Sequence, residues 1–253
     1  MYSDLQYKCF AAVMLFAASA LAGDENQLER SKSDIVVEGM SHPPQSVVTV
    51  QELSHHVPVK ARKEMEKAEK ARAGKLADEA ITHYKQVILI DPEYVAARNN
   101  LAVIYLSRSN AKLALEQLEE AIKIDPRNPA LFTNLTIAYH ALHQLHDAER
   151  TARMAIDLDR AGTEPPMLLG MVLAEQRKFT EEALRCFRWS VANYPVAHLF
   201  AANILMTQGN LRDAKSEIES YLASSQQENR EMAVKWLAEV TTQEAQSSAT
   251  STR

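Results

Sequence analysis

Alanine recurs in this chain at a spacing close to 34 residues, and its neighbours recur with it. The repeated alanines are Ala80, Ala114, Ala148, Ala183 and Ala214. Four residues after them stand Tyr84, Leu118, Ala152, Phe187 and Ile218, and eight residues after them stand Ile88, Ile122, Ile156, Val191 and Leu222. A fixed period of this length predicts an array of helix pairs, because a single pair of helices cannot bury its own apolar face.

The spacing within each repeat predicts which residues face the core. Positions four and eight residues after the alanine lie on the same side of an α-helix, so we expect them to be buried with it. The small alanine itself marks a point where two helices approach closely. A coiled coil is the structural alternative, but the apolar pattern follows the long period and not sustained heptads.

A second motif precedes the alanines and is typical of the first helix of each pair. It consists of a leucine, a small or medium residue, and a large ring or aliphatic residue one helical turn later. The examples are Leu101-Ala102 with Tyr105, Leu135-Thr136 with Tyr139, and Leu169-Gly170 with Leu173. Turn-forming residues such as Ser109-Asn110 and Gly209-Asn210 separate this helix from the alanine-bearing second helix.

Prolines mark the ends of the helix pairs, in Ile90-Asp91-Pro92 and Ile124-Asp125-Pro126. A proline cannot continue the preceding helix, but it suits the first turn of the next one. We therefore expect Asp91 to cap the following helix through its carboxylate, and Asn128 to do the same before Pro129.

Together these motifs resemble the tetratricopeptide repeat (TPR) family over residues 61–223, most specifically over 95–128 and 129–162. The resemblance implies an all-α fold, a right-handed α-solenoid of about five helix-turn-helix units. It also implies that the first helices of successive units line a concave groove, which is the usual binding surface of such an array.

The C-terminal residues predict one more helix and then a tail. The helix is assigned to 226–240, where it caps the open apolar face of the last repeat. Its apolar residues fall on one helical face and are Met232, Ala233, Trp236, Leu237 and Val240. Residues 241–253 are rich in Ser, Thr, Gln and Ala and are predicted to be disordered.

Residues 1–22 are predicted to form a secretory signal peptide of bacterial type. Lys8 precedes an apolar stretch that ends in Ala20-Leu21-Ala22, which is typical of a cleavage site. The signal predicts export across the inner membrane, to the periplasm or the medium. The alternative is an uncleaved signal that anchors the chain in the inner membrane.

Residues 23–60 are polar and predict a flexible linker between the signal and the array. Within this linker, Val47–Leu53 is β-prone and partly alternating. An extended strand docked along the first repeat is the alternative for this segment, and such a strand would occupy the groove.

Composition and motifs argue against several functional classes. The net charge is −5 and stays so without residues 1–22, which contain one acid and one base. Nucleic acid is therefore not expected as a partner. The sequence has no nucleophile elbow, phosphate-binding glycine loop or zinc-protease helix, so we expect neither catalysis nor a cofactor nor a small-molecule substrate. Cys186, the one cysteine left after cleavage, is expected to be a packed thiol, with an intermolecular disulfide as the alternative.

Three histidines, His140, His143 and His146, are close enough in sequence to suggest a zinc site. No carboxylate or cysteine at ligand spacing completes the set, and His143 falls in a turn, where a polar residue is ordinary. We therefore assign no metal site, and a metal-binding protein ranks third among the functional hypotheses.

The predicted groove is obtained by projecting the family pattern onto the first helices. Its residues are Asn99, Val103, Leu106, Thr133, Ile137, His140, Met167, Met171, Leu199, Asn203 and Met206. This mostly apolar surface favours an apolar peptide or helix as ligand, since methionine adapts its shape and asparagine hydrogen-bonds an extended backbone. In the alternative interpretation, these residues only pack between neighbouring helices, or the linker covers them.

Two functional hypotheses follow from different classes. In the first, the chain is an exported scaffold or adaptor that holds a protein or peptide in the predicted groove. In the second, it is a structural component of an envelope complex that self-associates, and apolar end residues such as Trp236 form the interface.

Overall fold

The computed structural model describes residues 55–225 and 228–251. These residues form eleven α-helices and no strand. The predicted signal peptide 1–22, the segment Val47–Leu53 and most of the predicted linker 23–60 lie outside the described residues. The fold divides into two compact blocks that meet in sequence at Ala161 and Gly162.

The N-terminal block, residues 55–161, contains three helix pairs in chain order. Its helices are α1 (Val59–Ala73), α2 (Ala77–Ile90), α3 (Val95–Ser107), α4 (Ala111–Ile124), α5 (Pro129–Ala141) and α6 (Leu145–Leu158). Each first helix packs against its own second helix, and α2 and α4 also pack against the first helix that follows them. Sequential packing of this kind is typical of helical repeats.

The C-terminal block, from residue 162 onward, contains two further pairs and a final helix. Its helices are α7 (Glu164–Glu175), α8 (Glu181–Ser190), α9 (Ala197–Thr207), α10 (Leu211–Ala223) and α11 (Arg230–Ser251). The last helix packs against α10. The five pairs and the final helix confirm the predicted all-α fold of helix-turn-helix repeats.

The core of each repeat follows the predicted alanine pattern with one correction. The five alanines and the five residues four positions later are all fully buried. The residues eight positions later are only half-buried. Fully buried instead are the residues seven positions after the alanines, namely Val87, Ala121, Ala155, Ser190 and Tyr221. The second helices therefore turn positions 0, 4 and 7 toward the core, which is the stripe that 3.6 residues per turn produces.

The turn inside each repeat contains one residue in the left-handed region. These residues are Lys75, Ser109, His143, Arg177 and Gly209, with φ values from 56° to 77°. Glycine is the residue that adopts this conformation without steric cost, and only the last turn has a glycine at the left-handed position. The common position of these five residues shows that the same turn recurs in all five pairs.

The connections between pairs correct one prediction and confirm another. Asp91 does not cap α3: the residue before that helix is Tyr94, which makes no side-chain cap. The Asp91 carboxylate instead lies 2.8 Å from the ring nitrogen Nε2 of His55, and it accepts a bond from the backbone of Glu93. The cap at α5 is confirmed, because the Asn128 side chain accepts from the backbone N–H of Ala130.

The final helix is longer than predicted. It begins at Arg230 and continues past Val240 to Ser251, so the prediction of a disordered segment from residue 241 is wrong for the described residues. The sequence after Arg230 contains neither glycine nor proline. The hydroxyls of Thr241 and Thr242 donate to carbonyls one turn back, and the helix proceeds without interruption. Within the described part of the chain, no helix has the length and apolarity that a membrane span requires.

Candidate binding surface

The first helices of the N-terminal block are tied together by polar side chains. Asn134 on α5 donates through Nδ2 to Oδ1 of Asn99 on α3, at 2.7 Å. Asn100, the next residue of α3, donates to Glu69 of α1 at 2.8 Å. The same Glu69 oxygen accepts a bond from the hydroxyl of the fully buried Tyr84 of α2. These bonds fix the rotation of α1, α3 and α5 relative to one another.

Two contacts fix the rotation of α9 in the C-terminal block. The ring of Phe200 stacks on Phe187 of α8, with the centroids 5.0 Å apart. His198 lies with Nδ1 2.7 Å from Oε2 of Glu217 on α10. Leu199, Asn203 and Met206 share one side of α9, at helical angles that lie between those of His198 and Phe200.

Most predicted groove residues are shielded from solvent in the structure. Val103, His140 and Met206 are half-buried. The buried ones are Asn99, Leu106, Thr133, Ile137, Met167, Met171, Leu199 and Asn203. Burial extends to every residue of 131–138 on α5 and 165–174 on α7. These stretches of α5 and α7 are therefore buried around their whole circumference, and Val103, His140 and Met206 are the predicted groove residues that solvent reaches most.

One buried polar atom on this surface lacks a partner. Asn203 is 4% exposed, and its Oδ1 has no hydrogen-bond donor. Among the side chains that the structure describes, it is the single buried nitrogen or oxygen in this condition. The sequence pattern placed Asn203 in the groove but gave no sign that its amide would be unsatisfied.

Glu217 holds together α8, α9 and α10 close to this surface. Its carboxylate accepts from Nε of Arg188 at 2.8 Å and lies 2.7 Å from His198. Burial alone would raise the pKa of Glu217, but the hydrogen bonds to His198 and Arg188 outweigh it and hold the pKa below the ordinary value of a glutamate. Glu217 is therefore a stable anion at neutral pH and a structural tie.

Apolar side chains are also exposed away from the predicted groove, at positions for which the repeat pattern predicts no role. Leu89 on α2 is 74% exposed, and Val234 on α11 is 52% exposed. On α11, Val234 belongs to a strip of surface residues that continues through Leu237, Ala238, Thr241, Thr242 and Ala245. Trp236, which the sequence suggested as an interface residue, is half-buried.

The histidine cluster does not become a metal centre in the described residues. His143 lies in the turn after α5, and His146 is exposed at the start of α6. Within the described ranges, no three His, Cys, Asp or Glu side chains come together as metal ligands would. Cys186 is buried and forms no disulfide within the described residues, in line with its expected packing role.

Comparison with known proteins supports the repeat assignment. A sequence profile described as tetratricopeptide repeat matches residues 66–129 and 167–229. A Drosophila melanogaster protein, the BBSome complex member BBS4 homolog, is 29% identical over 96 residues, which are 38% of this chain and 20% of that protein. The chain thus spans about a fifth of the length of that relative.

Solved structures share the fold at low sequence identity. MamA superposes with a TM-score of 0.59 at 19% identity, covering 68% of this chain and 93% of that chain. YrrB, described as a TPR protein with an unusual peptide-binding site, superposes with a TM-score of 0.55 at 19% identity, covering 69% of this chain and 92% of that chain. Identities at this level show a common fold.

Proposed function

This chain belongs to the tetratricopeptide repeat family, and from that premise we propose that it is an exported scaffold that binds a protein or peptide on the predicted groove. Proteins of this family generally mediate protein–protein interactions, and proteins with this fold are generally not enzymes. The acidic net charge of −5 makes a protein a more suitable partner than a nucleic acid.

The observation that carries the proposal concerns one equivalent position on the first helices of successive repeats, which is apolar in three of them. Val103 on α3, Ile137 on α5 and Met171 on α7 occupy it, and Asn203 occupies it on α9. Half-buried Val103 lies on this surface in the N-terminal block, and half-buried Met206 lies on it in the C-terminal block. An apolar ligand segment that covers them would gain burial without first having to desolvate charged groups.

The test is affinity capture from an envelope extract with variants that change the accessible part of the groove. Ile137 and Met171 are 4% and 2% exposed, so aspartate at either would unfold the repeat and confuse the result. Val103→Asp and Met206→Asp place the charge at half-buried positions instead. A partner that binds the wild type and is lost from these variants supports the proposal.

The matched controls carry the same new charge on other surfaces. Leu89→Asp lies on α2 of the N-terminal block and Val234→Asp on α11 of the C-terminal block, both at exposed apolar positions. We expect them to capture the partner as the wild type does. Equal capture by all five proteins would reject the groove as the binding surface.

Export is the part of the proposal that rests on the sequence of residues 1–22. If the signal is cleaved after Ala22, the chain recovered from the periplasmic fraction begins at Gly23. Intact-mass measurement of that chain distinguishes cleavage from an uncleaved anchor. A full-length chain in the cytosolic fraction would reject export.

Self-association within an envelope complex is the second candidate, favoured by the exposed strip on α11. The small side chains Ala238 and Ala245 in this strip permit close approach of another helix, and Val234 and Leu237 supply apolar area. Light scattering over a range of concentrations tests it. Dimers that Val234→Asp dissociates would support self-association through α11, and a monomer at all concentrations would reject it.

A further inference from the structure

The first helix of the array is basic, although the chain as a whole is acidic. Residues 59–75, which are α1 and the turn after it, contain seven basic and three acidic residues, a net charge of +4, whereas the whole chain carries −5. All seven basic side chains are exposed to solvent. They are Lys60, Arg62, Lys63, Lys67, Lys70, Arg72 and Lys75. Positive charge is therefore concentrated on one element of the N-terminal block.

Four of these lysines form a row along one side of α1. Their spacing of three, four and three residues brings them to the same helical face, and they are Lys60, Lys63, Lys67 and Lys70. Ten residues of helix separate the first from the last, so this lysine row is about 15 Å long. The buried Ala61 and Ala68 stand two residues before Lys63 and Lys70, which is about 200° around the helix. Lys63 and Lys70 therefore point away from the core.

The glutamates of α1 leave most of this positive charge in place. Glu69 is turned toward α2 and α3, whose side chains donate to it. Glu64 is shared between Lys67 and His83 of α2. Glu66 is exposed beside the lysine row. The three other lysines of the row form no ion pair within the described residues.

An exposed apolar side chain stands at the beginning of the lysine row. Val59 is the first residue of α1 and is 59% exposed, and it lies one helical turn before Lys63. Its side chain is on the same outward side of the helix as Lys63 and Lys70, since the three are four and seven residues apart. A helix surface that combines several lysines with an exposed apolar residue is typical of proteins that bind to the surface of a membrane.

We propose that the lysine row binds the surface of a bilayer that contains anionic phospholipid. This surface is separate from the predicted groove, and the inference does not depend on the groove. Ammonium groups are hydrated point charges and do not form the bidentate pairs through which arginine recognises a defined carboxylate. One convex helix surface also provides no cleft that selects a peptide by its shape. A bilayer requires neither feature, because its attraction grows with the number of cations near its plane.

The experiment is co-sedimentation of the purified chain with lipid vesicles. The chain used begins at Gly23, which is the expected product of signal cleavage and contains every described residue. One set of vesicles is made of phosphatidylcholine alone, and the other contains phosphatidylglycerol as well. Partition coefficients are measured at low salt for the wild type and for two double variants, Lys63→Gln/Lys70→Gln and Lys63→Glu/Lys70→Glu.

A matched control removes the same charge from other surfaces. Lys112→Glu/Arg212→Glu changes one exposed basic residue at the start of α4 and another at the start of α10. Its net charge equals that of Lys63→Glu/Lys70→Glu. A difference in binding between these two proteins therefore reports the position of the charge and not the total charge of the chain.

We expect the wild type to bind the anionic vesicles and not the neutral ones. Each lysine near the bilayer contributes about a factor of five, so Lys63→Gln/Lys70→Gln should lower the partition coefficient by about tenfold to thirtyfold. Lys63→Glu/Lys70→Glu should lower it further, and the control should bind nearly as the wild type does. Salt at about 0.5 M should release the wild type, because it screens charges at a membrane surface.

Four results would overturn the inference. They are equal binding to both kinds of vesicle, no binding to either, unchanged binding after substitution of Lys63 and Lys70, and an equal loss in the control. A chain that binds soluble poly-glutamate but does not sediment with anionic vesicles would also overturn it, and would identify an acidic protein segment as the partner. Lys70→Gln alone should lose about fivefold, and it replaces the double variants if their melting temperature falls below that of the wild type.

Discussion

A methyl group on Gly170 would lie 2.9 Å from Cε1 of Phe187, closer than van der Waals contact permits. Gly170 lies on α7 and Phe187 on α8, so the absent side chain sets how closely these two helices approach. Phe187 is fully buried and stacked on Phe200, and its ring therefore has no room to move aside.

Gly170→Ala should lower the free energy of unfolding by about 1–3 kcal/mol, the usual cost of overpacking. The sign of this change in the free energy of unfolding is diagnostic, because alanine in a helix interior normally stabilises a protein by about 1 kcal/mol relative to glycine. Denaturant titration measures the change. Gly74→Ala is the control, since its new methyl would meet its nearest neighbour at 3.4 Å. Equal effects of the two substitutions would contradict the close approach.

Ser109→Gly should stabilise the protein by about 0.5–1 kcal/mol, since glycine relieves the left-handed conformation that serine holds at φ 56°. Gly209→Ser should have the opposite effect in the equivalent turn of the last repeat, where φ is 77°. Arg108→Gly is the control, because Arg108 has φ −101° and gains nothing from glycine. Thermal melts of the three variants give the order of their stabilities. Destabilisation by both glycine substitutions would show that the turn conformation is not the cause.

Glu217→Gln should weaken the fold at neutral pH and flatten its dependence on acid pH. The folded pKa of Glu217 lies below the ordinary glutamate value because hydrogen bonds from His198 and Arg188 outweigh its burial. Its stabilising contribution is therefore complete above about pH 4.3 and is lost as the pH falls through the folded pKa. We expect the variant to lose about 1–3 kcal/mol at pH 7.

The measurement is the free energy of unfolding between pH 3 and pH 7 for wild type and variant. Glu120→Gln is the control, since Glu120 pairs with Lys123 at an exposed position and should contribute little. If wild type and Glu217→Gln lose stability with the same slope below about pH 4.3, the carboxylate is not the tie that the geometry indicates.

Removal of residues 243–253 should leave the stability nearly unchanged. Val240 is the last fully buried residue among those of α11 whose side chains the structure describes, and the ion pair of Lys215 with Glu244, which the truncation removes, spans 4.0 Å at the surface. Removal of 229–253 should destabilise strongly, because it takes away buried Ala233 and Val240. Circular dichroism melts of both truncations test this. A large loss from the shorter truncation would show that the end of α11 has a partner in the fold.

The repeat core could be predicted from the sequence because the alanine and the residue four positions later keep an apolar type in every repeat. The residues seven positions later cannot be predicted in this way, because they keep no common residue type. Val87, Ala121, Ser190 and Tyr221 share burial but no chemical type, so the sequence shows no pattern at their position. The residues eight positions after the alanines are apolar in every repeat, but they lie at the edge of the buried stripe.

Contacts between residues that are distant in sequence account for the remaining differences between the predictions and the structure. Asp91 has the local sequence of a helix cap, yet its carboxylate meets His55, 36 residues away. The sequence alone does not indicate this contact between Asp91 and His55. Asn203 was likewise placed in the groove by its period, but its unpaired oxygen depends on the rotation of α9 that Phe187 and Glu217 impose.

The most direct measurement of the central claim is photo-crosslinking in living cells. A photoreactive amino acid is placed singly at Val103 and Met206 on the predicted groove, and at Leu89 and Val234 as exposed apolar controls. The account predicts adducts of the same partner at Val103 and Met206 and none at the two controls. Adducts only at Leu89 or Val234 would contradict it and place the interaction on another surface of the repeats.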